Sequence, residues 1–324
     1  MTYESKWMRG ICTLAARYYL KRPDQAELLF IKYPRLRELW PALLNELSYR
    51  LGLSRSFRLT GLNVELTNRC NLSCTHCLKR EPGGRVEQDM DFSTFRAIVN
   101  MAPSINTLLP FQWGEPLLNP MVYDCISYAA ERGIRVMLTT NGTLLDEDAA
   151  RRLIASGLSR LTVSFDGDKD THAALRQVDP DRVISNAARF REIRDRMGAS
   201  CALDASMVVD ETTEPSMRGF KDLFEGIADR LQYIPRFVQG ERKVPCRELW
   251  RGVLVVLSSG DVTLCCADAA GKGTIGNVAN QTLKELFNGK AMREIRKQHR
   301  RRDFPVLCRE CAEYCSHCVS PRFS

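Results

Sequence analysis

Apolar positions along the chain follow two different periods, and the change between them divides the sequence. Through residues 1–58 the period is helical. Trp7, Ile11, Leu14, Ala15, Tyr18 and Tyr19 recur on one face until Pro23, and Leu28, Leu29, Ile31, Leu36, Leu39 and Leu43 continue the pattern. These residues predict a helical extension packed on a main domain. A membrane-surface helix with Lys6, Arg9, Arg17, Lys21 and Arg22 on its polar side is the alternative. From residue 60 short apolar runs alternate with helical patterns. Strands are expected at Leu62–Leu66, Ile105–Phe111, Arg135–Thr139, Leu161–Phe165, Ala202–Val209 and Leu231–Val238. Helices are expected at Phe92–Met101, Val122–Arg132, Glu147–Ser156, Val183–Met197 and Ser216–Asp229. Strands alternating with helices build a parallel α/β sheet, and six such units are too few to close an eight-stranded barrel. The fold class is therefore α/β, an open partial (β/α)6 barrel. Beyond residue 245, Val253–Leu257 and Asp261–Cys265 flank Ser258-Ser259-Gly260 as a hairpin, a helix runs from Leu283 to about Arg300, and a cysteine-rich loop follows. The expected divisions are 1–58, 59–240 and 241–324.

Composition narrows the picture only where it is uneven. The chain of 324 residues is 44% hydrophobic and 27% charged, as in ordinary globular proteins. A net charge of +8 suits an anionic substrate or an acidic partner, or is simply a solvated basic surface. No aromatic–basic interleaving, helix-turn-helix or finger spacing points to nucleic acid. The first residues lack the apolar core of an export signal and no stretch of 18 apolar residues occurs, so a cytoplasmic chain without a transmembrane segment is expected. The 13 cysteines are clustered: three at 70–77, two at 265–266, four at 308–318. In a reducing compartment such clusters are metal ligands more often than disulfides. Cys12, Cys125 and Cys201 stand alone and read as small buried hydrophobes.

Cys70, Cys74 and Cys77 form CxxxCxxC in the loop after the first strand. Thiolates suit iron–sulfur clusters or zinc, and three of them can hold three corners of a cubane while leaving one metal open. An open position belongs to a catalytic site. A structural zinc loop completed by His76 or a distant residue is the competing reading, although zinc knots ordinarily pair two CxxC elements. In an open parallel sheet the active site lies at the carboxyl ends of the strands. The chemistry-bearing residues follow that rule: Cys70, then Gly114-Glu115-Pro116, Thr140-Asn141-Gly142 and Ser164-Phe165-Asp166-Gly167.

Taken together and in this order, these motifs resemble the radical S-adenosylmethionine enzymes over about residues 60–240. The resemblance implies a [4Fe–4S] cluster on Cys70, Cys74 and Cys77 whose open iron chelates S-adenosylmethionine, and one-electron cleavage to a 5′-deoxyadenosyl radical. It implies that Gly114, Glu115 and Pro116 receive the methionine amino group, that Asn141 and Ser164 help hold the cofactor, and that Arg176 binds the methionine carboxylate. His76 occupies a position that is often aromatic in the family and packs near adenine. A flavodoxin or ferredoxin would supply the electron.

The second cysteine set resembles the SPASM or shortened twitch extension of the same enzymes. Cys246, Cys265, Cys308 and Cys311 fit its single-cluster pattern, with Cys315 and Cys318 as alternates, and imply one auxiliary [4Fe–4S] cluster. The spacing after Cys311 departs from the two-cluster version. A tail zinc site is the alternative, because paired CxxC elements are also a zinc pattern. Four thiolates leave no open iron, so electron transfer is the implied role. The absence of a strand pattern in residues 1–58 argues against a winged-helix peptide-recognition module. The expected substrate is thus a small, sugar-derived or nucleotide-sugar molecule, with a ribosomal peptide as the alternative. Lys290, Arg293, Arg296, Lys297 and Arg300–Arg302 read as a solvated basic helix face.

Overall fold

The computed structural model describes residues 36–80, 84–236 and 238–312. The helical pattern before residue 36 lies outside them, as do Cys12, Cys315 and Cys318.

One nine-stranded sheet organises the chain. Six strands, β1 (Gly61–Val64), β2 (Thr107–Leu109), β3 (Arg135–Thr140), β4 (Arg160–Ser164), β5 (Ala202–Val209) and β6 (Arg230–Pro235), run parallel in sequence order. The connecting helices are α2 (Phe92–Asn100), α3 (Val122–Ala130), α4 (Glu147–Ala155), α5 (Lys169–Arg176), α6 (Pro180–Arg196) and α7 (Met217–Phe224), preceded by α1 (Leu36–Arg50). Aspartates start four of them: Asp91, Asp146, Asp168 and Asp179 each accept a backbone N–H at a helix N-cap. Alternate strand residues sort by chemistry. Leu62, Val64, Val136, Leu138, Leu161, Val163, Leu203, Ala205 and Met207 join Phe95, Ile126, Leu153 and Phe190 of the helices in the core. Asn63, Thr162, Ser206 and Gln232 occupy the other parity and so point to the opposite face.

The hairpin beyond residue 245 is part of this sheet. Strand β7 (Val238–Gln239) pairs instead with β11 (Cys311–Ala312), while β8 (Val253–Val256) lies parallel to β1 with Gly61 opposite Val253. Antiparallel β9 (Asp261–Thr263) and β10 (Thr274–Asn277) extend the edge. The full order is β10-β9-β8-β1-β2-β3-β4-β5-β6. Helix α1 lies at the amino ends of the strands: Glu38 bonds Arg135 at the start of β3 (2.8 Å), and Asn45 bonds the Arg58 carbonyl ahead of β1 (2.8 Å).

Three expectations are corrected here. The helix anticipated from Leu283 to Arg300 is two, α8 (Leu283–Asn288) and α9 (Lys290–Arg301). They meet at Gly289, where a Cβ would sit 2.0 Å from the Glu285 carbonyl oxygen. Arg296 is not on a solvated face. Met292, Arg296 and His299 form the buried stripe of α9, and the Arg296 guanidinium bonds the Leu249 carbonyl and Asn288 while lying over Phe287. Burial lowers its pKa to about 9. Helix α5 was not legible in the sequence, since its eight residues bury only His172 and Arg176. The cysteine-rich tail begins with a short helix, α10 (Val306–Arg309).

Candidate active site

The loop carrying Cys70, Cys74 and Cys77 leaves the carboxyl end of β1 and is tied to three neighbouring connections. Asn71 holds the β3 loop, donating to Thr143 Oγ1 (2.8 Å) and accepting from Asn141 Nδ2 (2.9 Å). Thr75 N–H donates to the Leu175 carbonyl at the end of α5 (2.9 Å). His76 Nε2 lies 3.3 Å from Asp166 after β4. The Gly114-Glu115-Pro116 segment packs against the same loop: Glu115 N–H bonds the Arg69 carbonyl (2.8 Å), and a Cβ on Gly114 would lie 2.2 Å from the Thr67 carbonyl oxygen. Only glycine permits that approach.

Glu115 is buried. Its carboxylate accepts from Thr140 Oγ1 (2.8 Å), from Asn141 N–H (2.7 Å) and from Leu117 N–H (3.2 Å). Burial raises its pKa, opposed by those bonds and by Arg176. A nearby ammonium would supply the missing counter-charge. Asn141 Oδ1 is itself engaged by Thr143, and Ser164 closes β4 opposite Ser206. Arg176 donates from Nε to Asp166 Oδ2 (2.7 Å). Burial works against its charge, but Asp166, Cys74 and Cys77 hold its pKa up. Asp166 also accepts Val208 N–H (2.9 Å); despite burial, Arg176 and His76 keep its pKa well below the ordinary carboxylate range. His172 stacks on Phe165 at 3.7 Å, and its Nδ1 accepts Asp166 N–H.

The three loop cysteines are half-buried free thiols. Burial raises the pKa of Cys70 and Cys74, the other loop thiols add to it, and Arg176 opposes it at Cys74. Coordination to a metal removes that penalty by deprotonating the thiol. Three soft sulfur donors on one loop suit an iron–sulfur group.

A second thiol group lies across the sheet. Cys246 precedes β8, Cys265 follows β9, and Cys308 and Cys311 lie in the tail strapped to β7. Burial raises Cys246 to about 12 and Cys308 to about 11, and Cys265 well above its ordinary value; each feels at least one other thiol of the set. Cys246 N–H donates to the buried His299 Nδ1 (3.1 Å), and Arg242 donates to Cys311 Sγ (2.8 Å). Cys266 offers its carbonyl to Gln112 Nε2 (2.6 Å), just ahead of Gly114.

A clamp joins the two regions. Glu65 at the end of β1 receives both guanidinium nitrogens of Arg85 (2.7 and 2.6 Å) and both the N–H and hydroxyl of Ser258 (3.0 Å each). Arg85 also donates to the Ala269 carbonyl (3.0 Å). Asn71, Glu65, Arg85, Gln112 and Arg242 were not singled out from sequence, and Asp166 was named only as part of its motif. Their partners lie far away along the chain, and only the SFDG motif around Asp166 gave a local signal. Asp204 of β5 is locked to Arg160, Arg230 and Gln232. A pocket lined by Tyr49, Arg50, Pro245, Trp250 and Arg300 contains none of the candidate residues.

Residues 64–214 match the model of the radical SAM superfamily, and residues 246–312 match SPASM, an iron–sulfur cluster-binding domain. The chain carries a radical SAM domain followed by a SPASM domain. The radical SAM match runs from the end of β1 through β5, and the SPASM match contains Cys246, Cys265, Cys308 and Cys311. Among curated proteins, the AdoMet-dependent heme synthase of Nitratidesulfovibrio vulgaris is 32% identical over 170 residues, 50% of this chain and 42% of that protein. The chain spans less than half the length of that relative. Among solved structures, Streptococcus suis SuiB bound to precursor peptide SuiA aligns with a TM-score of 0.62 at 16% identity, covering 92% of this chain and 82% of SuiB. BtrN in complex with AdoMet and 2-DOIA aligns with a TM-score of 0.55 at 16% identity, covering 83% of this chain and 99% of BtrN. Both likenesses establish the partial-barrel fold. Among the described residues no helix is long and apolar enough to cross a membrane.

Proposed function

We propose that this chain cleaves S-adenosylmethionine reductively and uses the resulting radical to abstract hydrogen from a small-molecule substrate. A [4Fe–4S] cluster with S-adenosylmethionine, when bound, supplies one-electron sulfonium cleavage and a 5′-deoxyadenosyl radical. The chain's own residues do the holding. Cys70, Cys74 and Cys77 provide the thiolates. Glu115, buried and pinned by Thr140 and Asn141, accepts the methionine ammonium. Arg176, kept charged by Asp166, faces the carboxylate; its planar fork suits that partner. Gly114 and Pro116 shape the segment around Glu115, while Asn141 and Ser164 line the cofactor from β3 and β4. Cys246, Cys265, Cys308 and Cys311 hold one auxiliary cluster that relays an electron, with a flavodoxin or ferredoxin as donor.

The observation that carries this reading is the convergence of the thiol loop, Glu115, Asn141 and Asp166 at the carboxyl ends of four consecutive parallel strands, with Arg176 of α5 bonded to Asp166. That is where a parallel α/β sheet places its chemistry. A sugar-derived substrate is the finer proposal; the similarly folded BtrN holds the ligand 2-DOIA together with AdoMet. The second reading, a maturase acting on a ribosomal peptide, is supported by the likeness to SuiB across 92% of this chain.

Anaerobic reconstitution followed by reduction with S-adenosylmethionine is expected to yield 5′-deoxyadenosine, and Cys70→Ala to yield none while keeping auxiliary iron. Zinc in the loop of native protein, or equal cleavage by Cys70→Ala, overturns the proposal. Deuterium transfer into 5′-deoxyadenosine from labelled sugars or from labelled peptides separates the two substrate classes.

A further inference from the structure

The geometry points to Arg242 as the residue that sets the reduction potential of the auxiliary cluster, an inference that rests on the two-cluster reading above. Arg242 is 5% exposed. Its backbone N–H bonds the Arg309 carbonyl (2.9 Å), which fixes it beside the tail. Its guanidinium makes three further bonds: Nε to the Cys308 carbonyl (3.2 Å), one terminal nitrogen to the Val244 carbonyl (3.3 Å), and the other to Cys311 Sγ (2.8 Å). The partners are thus two neutral carbonyls and a sulfur.

A buried cation costs several kcal/mol unless an anion faces it. The groups positioned to be that anion are thiols. Cys311 accepts one guanidinium hydrogen bond through its sulfur and Cys308 accepts another through its carbonyl, both within the segment that matches the cluster-binding domain. Protonated thiols would leave the guanidinium uncompensated. Thiolates bound to iron would compensate it, so the arrangement is complete only with the cluster in place. Arginine is suited to this position because it is always charged and spreads donors across a plane. Here it anchors on two carbonyls and spends one donor on sulfur.

Charge near a cluster and hydrogen bonds to its sulfurs are the main levers on its potential. One-electron reduction adds a negative charge to the cluster. A fixed cation bonded to a ligand sulfur stabilises that reduced form more than the oxidised one. Arg242 therefore raises the auxiliary midpoint and makes that cluster the better electron acceptor of the two. It is a positioning and tuning residue, with no contact to substrate required. At the loop thiols the nearby cation, Arg176, spends its Nε on Asp166.

The test is a redox titration of the full-length, anaerobically reconstituted chain followed by electron paramagnetic resonance. S-adenosylmethionine perturbs the signal of the loop cluster and so identifies the auxiliary one. Arg242→Gln is expected to lower the auxiliary midpoint by at least a tenfold change in its reduction equilibrium, about 59 mV for one electron. The loop-cluster midpoint stays unchanged, and Arg242→Lys, which keeps the charge, recovers more than half of the shift. Iron loss from Arg242→Gln alone, with a near-native midpoint in Arg242→Lys, also supports the inference. An unmoved midpoint in a loaded Arg242→Gln protein overturns it, as does loss of auxiliary iron from both variants, which would make Arg242 a scaffold. A wild-type count near four iron atoms per chain, in place of about eight, sinks the two-cluster reading itself and is told apart by that count.

Discussion

Replacing Glu65 by alanine tests how firmly the hairpin half of the molecule is held to the barrel. Glu65 is fully buried, and the Arg85 side chain is 16% exposed. The substitution removes a bidentate ion pair and strips both bonds from Ser258. Breaking a buried ion pair from one side costs about 3–5 kcal/mol, because the surviving charge stays desolvated. Water reaches part of Arg85, so the lower end, about 3 kcal/mol, is the expected loss. For a protein of this size that corresponds to a fall in Tm of roughly 4–5 °C. Arg85→Ala should cost a similar amount by stranding Glu65. Since both residues serve one interaction, the double variant should lose clearly less than the sum, with a coupling energy of about 2 kcal/mol. Urea unfolding of the four proteins in the cycle measures it. Additivity within about 0.5 kcal/mol would refute the argument, because the two side chains would then be stabilising the fold independently.

Gly114→Ala places a methyl group 2.2 and 2.6 Å from the carbonyl oxygens of Thr67 and Arg69. It is expected to displace the thiol loop and halve iron loading or worse at the first site; full loading by iron analysis would contradict this. The pH dependence of stability should carry the signature of His172, whose pKa burial and Arg176 lower from 6.5 to about 3. The unfolded chain takes up this proton below about pH 6.5 and the folded chain does not until about pH 3, so stability is lost as pH falls between those values. From pH 7 to pH 5 the loss assigned to this residue is about 2 kcal/mol. His172→Asn should flatten that part of the urea-derived stability profile, and an unchanged slope would exclude the assignment.

What could be read from the sequence was whatever repeats locally. Alternating strand and helical runs gave the six parallel strands to within a few residues, because the core face of each strand repeats an apolar residue at every second position. Residues 70, 114–116 and 141 stood out because each follows a strand and Ser164 because it ends one, whereas Arg176, at the end of α5, was named only through the family resemblance. Arg296 escaped recognition for the opposite reason: a charged residue on a basic helix looks solvated until its burial among Trp250 and Phe287 is seen. The partners that hold the site were equally hidden. Asp166 joins His76, Arg176 and Val208, and Glu65 joins Arg85 and Ser258, across separations of up to 193 residues. Such pairings depend on topology, and a local pattern carries no trace of them. Helix α5 falls between the two cases, too short and too polar to register a period.

Backbone hydrogen bonds from β8 to β1 have a consequence for anyone who would divide this polypeptide. Severing it near residue 245 would not release two self-sufficient pieces. The front piece would expose the whole length of its first strand as a raw edge, a template for clumping with other chains. The rear piece would be left with a short antiparallel ribbon and little to rest it on. Grafts between relatives should therefore carry β1 and β8 together, and any spacing between the two thiol groups is inherited from a ladder of backbone hydrogen bonds, not from the slack of a linker.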